Sequence, residues 1–227
     1  IGTDEAKVGV RDTYPGLGTR PTAGWQPGMI IQDTITVPIS PDAQGPLLLN
    51  VVVGMADMET GISLPVEDAA GNVLAYPVAG RIKLRQGAPL AGTQILALNA
   101  EFAGGAVLEG LDLPSGGLVP GDALTVRLFW APTAPLPRDY TVFVHVVDSA
   151  GNIIAQGDGP PLGGRYPTTA WAPGERFIDE HSVLLPDEIP AGEYGLRLGL
   201  YDPSDGQRLP LTSGPDAVTL ENALSVR

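Results

Sequence analysis

The chain repeats itself, and the repeat limits its architecture before any single element is considered. Moving the sequence by 146 positions sets Asp12 to Val37 over Asp158 to Val183 without a gap, with identity at Asp12, Pro15, Gly18, Pro21, Thr22, Trp25, Pro27, Gly28, Asp33 and Val37. After one residue is dropped, Gly54, Asp57, Gly61, Leu64 and Pro65 fall on Gly199, Asp202, Gly206, Leu209 and Pro210. Each copy must therefore be a unit of one kind, and 227 residues suit two modest domains.

The local pattern within the copies is that of strands. In Ala123 to Trp130, Leu124, Val126, Leu128 and Trp130 alternate with Thr125, Arg127 and Phe129; Tyr140, Val142, Val144 and Val146 form a second row. Tyr194, Leu196, Leu198 and Leu200 form a third, answered in the first copy by Leu49, Val51, Val53 and Met55. A period of two places alternate side chains on one sheet face. The predicted core is Leu124, Val126, Leu128, Val142, Val144, Val146, Leu196, Leu198 and Leu200, with Val51 and Val53 in the first copy. Turns fall at Asp148-Ser-Ala-Gly-Asn, Pro203-Ser-Asp-Gly and Glu59-Thr-Gly. With 30 Gly and 23 Pro punctuating short apolar runs, long helices are excluded. The expected fold class is all-β: two tandem immunoglobulin-like antiparallel β-sandwich repeats.

Asn99-Ala-Glu-Phe, Leu108-Glu-Gly-Leu-Asp-Leu, Pro120-Gly-Asp, Leu128-Phe-Trp, Asp139-Tyr-Thr-Val-Phe-Val-His, Tyr166-Pro-Thr-Thr, Trp171-Ala-Pro-Gly-Glu and Leu198-Gly-Leu-Tyr-Asp-Pro carry a family likeness. Together they resemble a bacterial β-sandwich domain. It recurs in the extracytoplasmic C-terminal regions of multi-pass membrane proteins similar to dolichyl-phosphate-mannose-type glycosyltransferases, and in related surface proteins. The resemblance covers Asn99 to Arg227 well and Asp12 to Leu84 in part. It implies a fold and an extracytoplasmic, cell-surface or secreted location, and it supplies no catalytic motif.

Three strand-like runs in Ala106 to Ile154 precede the matching part of the second copy, and the first copy has almost no room for them. The expected division is 1–88 for the C-terminal part of a first sandwich, 89–105 for a linker and 106–227 for a complete second sandwich. The first repeat is then incomplete at its N-terminal side. Either the chain is a trimmed or processed fragment, or another subunit supplies strands to the open edge by self-association.

Candidate chemistry is sparse. Asp179-Glu180-His181 would place Asp179 and His181 on one strand face, close enough for a metal or an acid/base pair, but the first copy has Asp33-Thr34-Ile35 there. Only the aspartate persists, which favours hydrogen bonding to loop amides over catalysis. His145 lies in a strand between Phe143 and Val147, where a packed or hydrogen-bonded side chain is the default. No nucleophile motif, zinc-binding helix or phosphate loop occurs, so no catalytic residue and no enzymatic activity are expected. Asp202 and Asp205, and the Asp148 turn, offer oxygen ligands that make calcium the one candidate ion; no other cofactor is expected. Trp171 and its counterpart Trp25 could stack on sugar rings, with Tyr166 and Tyr201 as neighbours, or could close the end of the sandwich over the Trp-x-Pro-Gly turn.

A net charge of -13 lacks the basic footprint of a nucleic-acid partner. The longest apolar stretch, Pro46 to Met58, is broken by Asn50 and Asp57 and is too short for a membrane span, so direct membrane insertion is not expected. The absence of cysteine removes disulfides and thiol chemistry. Two roles remain: a non-catalytic surface module that contacts glycan or acts as a spacer, and a structural subunit of an extracellular assembly or filament completed by strand donation.

Overall fold

The computed structural model describes residues 6–75, 77–85 and 96–227. The chain divides into two compact units, Ile1–Leu84 and Arg85–Arg227. The described residues contain β-strands, single 3-10 turns and loops, so the all-β class expected from the short alternating runs is the class observed.

The second unit is a sandwich of two four-stranded antiparallel sheets. Its strands are β3 (Leu96–Phe102), β4 (Ala106–Asp112), β5 (Ala123–Trp130), β6 (Thr141–Val147), β7 (Ile153–Gln156), β8 (Phe177–Leu184), β9 (Gly192–Tyr201) and β10 (Val218–Val226). One sheet has the order β3-β4-β5-β8 and the other β10-β9-β6-β7. The chain crosses between sheets after β5, after β7 and again after β8, and β5 and β6 are each flanked by strands on both sides. All nine core positions expected in this unit are fully buried. Each such Val or Leu contributes roughly 1.5–3 kcal/mol. β6 buries both faces, His145 included, and on the face away from the core row Phe143 lies against Gly199 with Arg208 over its ring.

Residues 96–102, placed in a linker by the sequence pattern, are strand β3, the edge partner of β4. The pattern failed there because of a bulge between Ala97 and Ala100, where Asn99 takes a left-handed φ of 52° and interrupts the two-residue period. The rest of that expected linker, up to residue 95, lies outside the described residues.

Among its described residues the first unit holds one strand pair, β1 (Leu47–Val52) with β2 (Val78–Leu84), antiparallel from Leu47↔Leu84 to Val52↔Val78. By the repeat offset, β1 corresponds to β9, and its pairing with β2 repeats that of β9 with β10. Val51 and Val53 were expected in a core. Val51 is half-buried and Val53 is 57% exposed, because among the described residues no second sheet covers them.

Candidate functional site

The segment from Pro161 to Asp179 carries most of the residues singled out as chemically interesting, and it is built twice. The 3-10 turns Pro15–Gly18 and Thr22–Gly24 recur, 146 residues on, as Pro161–Gly164 and Thr168–Ala170. Inside the first of each pair, two consecutive residues are left-handed: Gly16 and Leu17, Leu162 and Gly163. An aspartate caps that unusual backbone in both copies. Gly16 N donates to Asp33 Oδ2 and Leu162 N to Asp179 Oδ1, each at 2.8 Å. Trp25 Nε1 donates to the Arg20 carbonyl and Trp171 Nε1 to the Tyr166 carbonyl, each at 3.2 Å. The local sequence thus dictates the loop in both units.

What surrounds the loop differs. Trp171 is 1% exposed, packed against Trp130 of β5 at 5.3 Å and edge-on to Phe177 at 5.1 Å between ring centroids. Tyr166 is fully buried, its hydroxyl against the Ala170 carbonyl at 3.0 Å and the Glu175 carboxylate. Burial, and then the Glu175 hydrogen bond, push that hydroxyl far above the ordinary tyrosine range, so it stays neutral. Of the two roles open to them, Trp171 and Tyr166 take the enclosed one in this structure: neither ring offers a face to solvent. Tyr201 is half-buried against Phe143, with centroids 6.5 Å apart. Trp25, 39% exposed, retains a solvent-facing ring.

Asp179 and His181 do share a strand face, as alternation required. His181 Nε2 donates to Asp179 Oδ2 at 2.9 Å, while the other carboxylate oxygen receives the Leu162 amide. Both residues are buried, and together they anchor the Pro161–Gly164 turn to β8. His145 Nε2 faces Asp158 Oδ1 at 3.2 Å, and Val144 N donates to the same carboxylate at 3.3 Å. Burial lowers the His145 pKa, with Asp158 opposing.

The calcium candidates are engaged internally. Asp202 Oδ1 accepts the Ser204 amide at 2.9 Å and the Ser204 hydroxyl at 2.6 Å, and Oδ2 accepts Arg138 Nη1. Ser204 and then Arg138 hold the Asp202 pKa at about 2. Asp205 Oδ1 receives the Gln207 amide at 2.8 Å. In the other turn, Asp148 accepts the amides of Ala150 and Asn152 and the Asn152 side chain. Among the described residues no three acidic or histidine side chains converge as a metal site.

Sequence reasoning missed the partners that hold these groups. Thr168 Oγ1 donates to the Arg138 carbonyl at 2.8 Å and accepts the Tyr140 amide at 2.9 Å; Thr169 N and Oγ1 both donate to Asp139 Oδ1. These clamps join residues about 30 positions apart, and no local pattern announces them.

No family model and no curated protein matches the chain. Among solved structures, the C-terminal domain of wzt is similar at 12% identity, with a TM-score of 0.41, over 56% of this chain and 77% of that one. That likeness is too loose to assign a ligand or an activity. No helix among the described residues is long and apolar enough to cross a membrane.

Proposed function

We propose that the chain is a non-catalytic β-sandwich module of an extracytoplasmic surface protein, acting as a spacer or structural element. The observation that carries this reading is how the singled-out groups are used. In the second unit Trp171 and Tyr166 lie in the core, Asp179 is bonded to His181 and Leu162, and Asp202 to Arg138 and Ser204. The buried nitrogens without a partner, Trp130 Nε1 and His145 Nδ1, face no cluster of acidic or histidine side chains among the described residues. The resemblance of Asn99 to Arg227 to the extracytoplasmic domains of glycosyltransferase-like membrane proteins supports the location. Spacing is favoured over glycan contact because the two best-placed aromatic rings are enclosed.

Titration with a panel of bacterial surface oligosaccharides, followed by tryptophan fluorescence, tests the choice. No saturable change is expected. A saturable change lost in Trp25→Ala or Tyr201→Ala, with the second unit still folded, would establish glycan binding instead.

A further inference from the structure

We infer that the first unit is built to receive the strand set of a further repeat, a polypeptide segment outside residues 1–227 patterned like Ala106–Gln156, which pairs with residues 31–37 and with the open edge of β1. The second unit displays what occupies the equivalent positions, and four residues identical in the two copies point to the same missing piece.

Trp171 packs on Trp130, whereas Trp25 is 39% exposed. Thr168 clamps Arg138 and Tyr140, whereas Thr22 is exposed. Asp158 bonds the Val144 amide and His145, whereas Asp12 is exposed. A Cβ on Gly199 would lie 2.5 Å from the Phe143 ring, whereas one on Gly54 would meet nothing within 4 Å. Each of these four contacts is made, in the second unit, by residues from Trp130 to His145.

Strand lengths agree. β8 is hydrogen-bonded to β5 alone, and its counterpart, residues 31–38, forms no strand. β9 is paired with β10 only as far as Leu198, and Gly199 to Tyr201 are paired with β6. The counterpart β1 stops at Val52, one residue before the match to Leu198. The first unit thus keeps strand structure only where its partner strand is present. Its apolar row is correspondingly open: Ile35, Val53 and Met55 are 47%, 57% and 39% exposed, against 6%, 0% and 0% for His181, Leu198 and Leu200.

A second copy of this chain does not fit the vacancy. Its own matching strands are inner members of its two sheets, and lending them would open its second unit. Addition of outside strands satisfies edge amides and apolar positions together.

The test compares the full chain with a version carrying an added copy of Leu96–Gln156 ahead of Ile1, by hydrogen–deuterium exchange and mass in solution. Exchange in 31–37 and 51–55 is expected to slow at least about tenfold in the extended chain, with the second unit unchanged. The effect should be lost when the added copies of Val142, Val144 and Val146 are replaced by Lys. It should also weaken with Gly54→Leu, which blocks the seat of the added Phe143. Unchanged exchange in the extended chain would overturn the inference, as would protection already present in the monomeric chain alone. Protection that grows with concentration as the mass doubles would assign the edge to a second copy and overturn it equally.

Discussion

Gly54 and Gly199 occupy the same place in the same local sequence, and their surroundings separate them. At Gly199 the absence of a Cβ lets the Phe143 ring lie over the strand, with Arg208 above the ring at 4.4 Å from its centroid. Gly199→Ala is expected to destabilise the second unit by about 1–3 kcal/mol through overpacking. Gly54→Ala should be neutral, or stabilising by up to about 1 kcal/mol through the unfolded chain. Urea denaturation of the two variants checks both signs. The retained aspartates were legible at this scale: Asp33 and Asp179 bond loop amides as the repeat implied. The burial of Trp171 was open between two readings, because a Trp-x-Pro-Gly turn is written identically whether or not Trp130 lies beneath it.

Strands show the same division. Alternation located β5, β6 and β9, because an apolar row of period two is a local property. It overlooked β3, whose bulge at Asn99 shifts the row, and it assigned Val53 to a core that the first unit does not enclose. The consequence is measurable at matched positions. Leu198→Lys should unfold the second unit, since an unpaired buried charge costs several kcal/mol. Val53→Lys should change stability by no more than about 0.5 kcal/mol. Circular dichroism melts of the two variants distinguish them.

For the whole molecule, Asp202 and His145 of the second unit contribute to acid stability, together with Asp57, Asp68 and Asp148, whose turn hydrogen bonds also lower their pKa. Asp202 has a folded pKa of about 2, below its unfolded value near ~3.9. Its contribution is therefore present above pH ~4 and is lost as the pH falls towards 2. His145 is lowered by burial, so stability present above its unfolded value of ~6.5 is lost as the pH falls through its folded one. Denaturation midpoints taken from pH 8 to 2 should show both declines. Asp202→Asn should be less stable than the parent at pH 7, with the gap closing as the pH approaches 2. The sequence by itself determined the repeat, the strand periods, the positive-φ turns and the capped loops, because each is written in the residue pattern of a single segment or in its recurrence. Only the tertiary structure decided which tryptophan is core, which carboxylate is neutralised by a distant Arg138, and which copy encloses its apolar row. Those outcomes depend on whether β5 and β6 are present to desolvate their neighbours, and desolvation is set by what packs against a residue in space.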